Sequence, residues 1–384
     1  MEGKRLLHSI SLKNLLSYGS EGVTLELEPL NVLIGPNASG KSNLIDAISL
    51  LKAAPRNLSS PLRRGRPAED WLWKGTRFDE WAKIGVKLDW SLDKHDSHPL
   101  SYDLTLTVTR TRLHVLEEAL SNPQRLLFHR DSSVGASLPV DLANMAVDSQ
   151  ESILSQFRDP VNHPQMSYLG DQLGRISLFR GWPFGRDTHL ARAQRVDLPD
   201  DFLLEDGSNL GLVLNDLQNR KDTKHLLLEK LRLVYEGIED VTTKTQGSTI
   251  QIFLHEEGFT GPISASSLSD GTLHYLCLLT VLLHPEPPPL ICIEEPELGL
   301  HPDVIPKIAD LLLDASQRTQ LMVTTHSETL VSRLSEFPET VVVCERDDRG
   351  THLRRLEPDK LRVWLDKYML GELWRMGEIG GNRW

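Results

Sequence analysis

The sequence predicts an α/β fold: a mixed, mostly parallel sheet with helices on both faces, plus an antiparallel β lobe and a small inserted helical lobe. Three observations carry this expectation. Short apolar runs at residues 30–34, 290–293 and 321–325 read as buried strands, with helical periodicity after the first and between the other two. Residues 84–111 alternate apolar and polar, the signature of antiparallel strands. The 384 residues are 39% hydrophobic and 25% charged, enough for a sizeable globular core.

Taken in order, residues 6–12 and 23–27 alternate as strands around the turn Ser17-Tyr18-Gly19-Ser20, and residues 30–34 form a strand ending at Gly35. Beyond Ser42, apolar Leu44, Ile45, Ala47, Ile48, Leu50 and Leu51 recur at helical spacing. Residues 57–67 read as a polar loop, 84–111 as antiparallel strands broken at 93–99, and 113–157 as mixed and partly helical. One strand is expected at 176–179, amphipathic helices at 210–217 and 224–234, and a strand pair at 241–254. A helix over 273–283 stops at Pro285, and the rigid connector 285–289 leads into the strand at 290–293. A helix near 304–315 precedes the strand at 321–325, and Asp347-Asp348-Arg349-Gly350 reads as a turn after a strand at 341–344.

Composition narrows the function classes. The formal net charge of -12 argues against a chain that binds nucleic acid over its whole surface, so any DNA contact must come from a local patch or a partner. Cys277, Cys292 and Cys344 each lie in an apolar run without a CxxC pair, as buried small hydrophobes do. No apolar run approaches the roughly 20 residues of a membrane span, and the opening Met1-Glu2-Gly3-Lys4-Arg5 lacks a signal-peptide core, so a cytoplasmic location and no membrane partner are expected.

Four motifs carry chemistry. Gly35-Pro36-Asn37-Ala38-Ser39-Gly40-Lys41-Ser42 matches the phosphate-binding P-loop, with a strand before it and a helix after it. Its glycines permit a tight loop whose N–H groups form an anion nest, Lys41 would reach the β- and γ-phosphates, and Ser42 would ligate Mg²⁺. Residues 290–293 deliver Glu294 and Glu295 at a strand end, where Glu294 would serve the metal and Glu295 the attacking water. His326, directly after the apolar run at 321–323, would contact the γ-phosphate or position the water as a neutral imidazole. Leu268-Ser269-Asp270-Gly271-Thr272 opens a helix whose N-terminus suits an anion.

The order of these motifs resembles ABC-type ATPases, P-loop NTPases, and within them the RecF/SMC-like group. Ile10-Ser11-Leu12-Lys13-Asn14-Leu15 and the loop through Asn43 are similar to that group's opening. Glu294-Glu295-Pro296-Glu297, Leu300-His301-Pro302, Thr325-His326-Ser327 and Asp206-Gly207-Ser208-Asn209-Leu210 resemble compact bacterial RecF-like AAA-family ATPases. These are related to the ATPase half of overcoming-lysogenization-defect nucleases. The tail from Leu370 to Trp384 shares that likeness.

The resemblance implies ATP and Mg²⁺ as cofactors and a head-to-tail homodimer. In it Lys41, Glu295 and His326 of one subunit would face Ser269 and Gly271 of the other. It also implies a metal-side glutamine, for which Gln172 is the first candidate and Gln165 the second. Two departures stand out: Asp270 and Thr272 replace residues of the usual Leu-Ser-Gly-Gly-Gln signature, and Glu294 stands where an aspartate is usual. Without sustained heptads over 43–267, the chain is expected to be a single head. Its N-terminal lobe would span 1–60, a β and inserted helical lobe 61–250, and a C-terminal lobe 251–384. No nuclease site is expected.

An ATPase switch that controls a separate effector such as a nuclease, in phage defence or genome maintenance, is the leading expectation. A stand-alone RecF-like DNA repair protein is the alternative, and a transporter ATPase the third. Arg63, Arg64 and Arg66, followed by Trp71, Trp73 and Lys74, suit either a DNA-facing patch or, preferably, a solvated loop leading to buried tryptophans.

Overall fold

The computed structural model describes residues 3–62, 67–75, 80–90, 98–132, 136–138, 147–183 and 185–381. Its centre is a six-stranded sheet ordered β17–β16–β3–β15–β14–β9, where β3 is Leu30–Ile34, β9 Ser177–Phe179, β14 Leu290–Glu294, β15 Gln320–Thr324, β16 Val341–Asp347 and β17 Gly350–Arg355. Every pair is parallel except β16–β17, so the sheet is mixed and mostly parallel as expected. Alternation along these strands divides the core. Leu30, Val32 and Ile34 point into one apolar cluster with Ile291, Ile293, Leu321 and Val323; Leu33, Leu290, Cys292 and Met322 point into the other.

The first cluster is covered by α4 (Leu210–Asn219), α5 (Lys221–Arg232), α6 (Asp270–Leu282), α7 (Ile305–Ser316), α8 (Glu328–Arg333) and α10 (Leu370–Met376). The small sheet of β10 (Gln194–Arg195), β11 (Ile238–Gln246), β12 (Thr249–Glu256) and β13 (Ile263–Ser264) packs there too. The second cluster is filled by α1 (Lys41–Ala53), by α3 (Pro164–Gly174) and by a seven-stranded antiparallel sheet. That sheet runs β2 (Val23–Glu26), β1 (Leu7–Lys13), β4 (Trp81–Trp90), β5 (His98–Thr109), β6 (Arg112–Ser121), β7 (Leu126–Asp131) and β8 (Ala136–Leu138). It joins the first strands to those after residue 80, and β12 crosses residue 250.

Residues 113–157 are mixed and partly helical as expected, although strands dominate: β6, β7 and β8 lie there, and α2 (Ile153–Gln156) is the one helix among the described residues of that span. A register shift opposite Thr105 and Leu106 changes the phase of β6. Leu113 and Val115 face inward before it, Glu118 and Leu120 after it, so the period of two breaks in the sequence. Glu118 is fully buried, and burial pushes its carboxyl up. It accepts from Tyr102 Oη at 2.7 Å, Ser152 Oγ at 2.6 Å and the Ile153 N–H at 2.9 Å, tying α2 to the sheet.

All three cysteines are buried and free, as the composition suggested. No described helix is long and apolar enough to cross a membrane. Arg63, Arg64 and Arg66 lie outside the described residues, as do 382–384 of the tail. Trp71 and Trp73 are buried, with Arg346 5.8 Å over the Trp73 ring, as the reading of buried tryptophans expected.

Candidate active site

The carboxyl edge of the parallel sheet gathers the chemistry. Register aligns Val343 with Ile34, Leu33 with Thr324, Glu294 with Thr324, and Ile293 with Phe179. The residues just beyond these strands therefore stand in spatial order: the loop from Gly35, then His326, then Glu294 and Glu295, then Arg180.

The phosphate loop is built into its surroundings. Gly35 and Gly40 hold φ of 148° and 109°, and a Cβ would lie 2.2 Å from the Cys344 carbonyl oxygen at Gly35 and 2.3 Å from Thr351 Oγ1 at Gly40. Thr351 Oγ1 donates to the Ser39 carbonyl at 2.9 Å, and Tyr18 Oη to the Gly40 carbonyl at 3.1 Å. Lys41 begins α1, and its buried ammonium donates to the Gly35 and Pro36 carbonyls at 2.7 and 3.0 Å. Burial lowers its pKa, against the pull of nearby Glu295. Asn37 and Ala38 stand at the exposed crest, while Asn43 is half-buried.

On the other side, Ser42 hydrogen-bonds Glu294. Burial raises the Glu294 pKa, and Arg180 and Ser42 act to lower it. Glu295 sits at φ 48°, its N–H bound to the Thr324 carbonyl at 2.9 Å, so the strand end turns sharply and its carboxylate leaves the line of the sheet. His326 Nε2 is 3.8 Å from Glu295 Oε1. Burial, then Lys41, lowers the His326 pKa and favours the neutral ring. Glu297 fixes the segment by accepting from Thr325 Oγ1 at 2.7 Å and the His326 N–H at 2.8 Å.

Magnesium nucleotide fits this donor set. Ser42 and Glu294 offer the hard oxygen donors that Mg²⁺ takes, Lys41 is a buried cation, and the buried Ser39 hydroxyl of the loop has no partner among the described residues. Beyond the loop's outer side, Trp73, Lys74, Arg346, Asp347 and Asp348 line an open cleft with Asn37, Ala38 and Asn43, large enough for a nucleoside.

Gln172 is not brought here. It lies on α3, which packs at the far end of α1: Gly170 and Gly174 meet Pro55, beyond the last turn of α1. At 1.5 Å rise per residue, that is roughly 20 Å from Ser42. Gln165 lies on the same helix. The Ser42–Glu294 side is instead occupied by Arg180, whose Nη2 is 2.7 Å from Asp46 Oδ1 and whose Nη1 is 3.2 Å from Glu294 Oε1. No sequence motif flags Arg180; its signal is a basic residue ending a strand that pairs with β14, visible only once the sheet order is known.

Ser269 and Gly271 stand apart. Ser269 caps α6, accepting from the Thr272 N–H at 3.1 Å, and is exposed. Asp270 is turned aside, accepting from the Gly185 N–H at 2.7 Å. A Cβ on Gly271 would meet the Gly299 carbonyl oxygen at 2.9 Å, so the signature helix seats directly on the loop after Glu297.

The loop of residues 35–42, the strand-end Glu294 and Glu295, His326 beyond β15 and the Ser269-capped helix, on one mostly parallel sheet, are the arrangement of an ABC-type ATPase head of the RecF/SMC-like group. Residues 30–332 match the family described as "AAA domain, putative AbiEii toxin, Type IV TA system", and the chain belongs to it. It is 32% identical over 114 residues to a DNA replication and repair protein RecF of Listeria monocytogenes, 29% of this chain and 27% of that protein. It is 23% identical over 285 residues to the chromosome partition protein Smc of Mycolicibacterium paratuberculosis, 65% of this chain and 23% of that protein. The chain thus spans about a quarter of the length of these curated relatives. A solved Smc head domain with an extended coiled coil, bound to the C-terminal domain of ScpA and derived from Pyrococcus furiosus, shares the fold. Its TM-score is 0.59 at 13% identity, covering 94% of this chain and 99% of that one. An Smc head bound to the C-winged helix domain of ScpA matches equally, with TM-score 0.59 and 13% identity over 92% and 99% of the two chains.

Proposed function

We propose that this chain binds and hydrolyses ATP with Mg²⁺, pairs head to tail with a second copy, and acts in the cytoplasm as a switch for a separate effector of the nuclease class, in defence against phage or genome maintenance. One observation carries the reading. Lys41, Ser42, Glu294, Glu295 and His326 converge at one sheet edge, while Ser269 is exposed and shares no hydrogen bond with the phosphate loop among the described residues. A complete phosphate site and a detached signature on one chain suit two copies that complete each other.

Lys41 and the N-terminus of α1 would bind the phosphates. Ser42 and Glu294 would hold Mg²⁺, which draws charge from the transferring phosphoryl group when bound. Glu295 would orient the attacking water and take its proton, with the neutral His326 ring placed beside it. Water adds to the γ-phosphorus as the bond to ADP breaks, giving ADP and phosphate.

The likeness to RecF favours a second reading, a stand-alone DNA-binding repair protein. Steady-state ATP hydrolysis by the purified chain, with and without linear double-stranded DNA and with Glu295→Gln as the blank, separates the two. Hydrolysis without stimulation supports the switch with an external sensor; strong stimulation supports direct DNA sensing. No hydrolysis above the blank overturns both.

A further inference from the structure

The hydrolytic scheme leaves without a task the cation that already stands at the metal side. Arg180 bridges carboxylates from two elements, Asp46 on α1 at 2.7 Å and Glu294 at the end of β14 at 3.2 Å. Both are largely buried, with side chains 14% and 16% exposed, so the contacts are weakly screened. The backbone that carries Arg180 is held in place. The Leu178 N–H donates to Glu205 Oε1 at 3.0 Å, Glu205 pairs with Lys52 of α1, and Gly181 turns the chain at φ 124°. Ser42, Asp46, Lys52, Arg180 and Glu205 line one cleft of about 430 Å³.

Glu294 thus receives Ser42 and Arg180 on the same carboxylate. A divalent cation on Ser42 and Glu294 would meet the guanidinium at close range, and like charges there repel strongly. Without any cation, Asp46 and Glu294 would face each other and the incoming phosphates unscreened. The planar fork of arginine suits two carboxylates at once, which a lysine point charge matches less well.

We propose that Arg180 is a resident counter-cation of the metal site: it neutralises Glu294 and Asp46 while the site holds no metal, so that triphosphate binding does not require Mg²⁺, and it releases Glu294 while keeping Asp46 when a divalent cation enters. This rests on the reading of the loop as an ATP site. A purely structural staple would affect stability alone, not metal dependence.

The test is equilibrium binding of N-methylanthraniloyl-ATP to the full chain, at saturating Mg²⁺ and in EDTA, for wild type, Arg180→Gln, Arg180→Lys and Lys41→Ala. Mn²⁺ affinity of the nucleotide-free protein, read by electron paramagnetic resonance, is the second readout. Loss of a charge-assisted pair predicts an EDTA penalty at least about tenfold larger in Arg180→Gln than in wild type, and Mn²⁺ binding roughly tenfold tighter. Arg180→Lys should fall between wild type and Arg180→Gln in both, because the charge remains but the fork that spans two carboxylates is lost. Equal penalties and equal Mn²⁺ affinities in wild type and Arg180→Gln overturn the proposal. Should Arg180→Gln not fold, the wild type decides: an EDTA penalty below about thirtyfold supports the counter-cation and a larger one rejects it. Lys41→Ala separates the two levels. If it binds as wild type does, the ATP reading fails; if it loses binding while Arg180→Gln keeps the wild-type metal dependence, only the role of Arg180 fails.

Discussion

Two helix N-termini stand where the proposed mechanism places phosphate, and they are built in opposite ways. At α1 the loop is locked from outside: Thr351 and Tyr18 hold its carbonyls, Gly35 and Gly40 pack where no Cβ fits, and Lys41 is buried against the loop it serves. At α6 the terminus satisfies itself. Ser269 caps Thr272, Asp270 is taken by Gly185, and the serine faces outward. In the proposed mechanism the first would be a preorganised anion site, and the second a capped helix end that gains a phosphate only if another molecule brings one.

The sharpest way to break the comparison is at the locked end. Lys41→Ala should weaken ATP binding at least ~100-fold by equilibrium titration, because a buried charge-assisted contact is lost and nothing nearby replaces it. Unchanged affinity would remove the loop from the mechanism. Glu295→Gln should retain ATP and slow turnover at least ~100-fold, the usual size of a general-base contribution. Turnover at the wild-type rate would mean that the strained backbone at Glu295 serves only the strand end.

At the other end the effect should be smaller and differently distributed. Ser269→Ala removes an N-cap and should cost about 1 kcal/mol of stability in denaturant unfolding. Head-to-tail pairing also predicts roughly tenfold slower turnover with ATP affinity unchanged, since Ser269 would act on the partner's nucleotide. A variant that loses ATP affinity in the monomer would place Ser269 in its own subunit's site and dissolve the contrast.

The contrast also tracks what is legible in the sequence. The locked end is spelled contiguously, so the loop, Glu294, Glu295 and His326 can be named from residue order alone, and the sheet edge brings them together as expected. Arg180 is not legible, because its role depends on β9 lying beside β14, a pairing across more than a hundred residues. Gln172 draws attention as a residue type and sits on the wrong helix. The strands of 113–131 are hidden for a local reason. Leu116-Glu117-Glu118-Ala119-Leu120 has strong helix propensity, and the bulge in β6 destroys the alternation that would outweigh it; sheet pairing then overrides propensity.

A pH dependence tests how firmly the self-capped end is seated. His274 lies in the first turns of α6, buried, edge-on to Trp182 at 5.0 Å and hydrogen-bonded to the Leu298 backbone. Burial lowers its pKa to about 4, from an ordinary 6.5 in the unfolded chain. The folded state therefore prefers the neutral ring, and its contribution to stability is complete above pH 6.5 and is lost as pH falls toward 4. At about 1.4 kcal/mol per unit the whole window is worth up to roughly 3 kcal/mol. Urea unfolding of wild type and His274→Gln between pH 7 and 4 should show the wild type losing more stability on acidification, while the variant follows only the other titrating groups. Parallel curves would mean that His274 is solvated in solution and that the contact between α6 and the loop after Glu297 is looser than the one that locks α1.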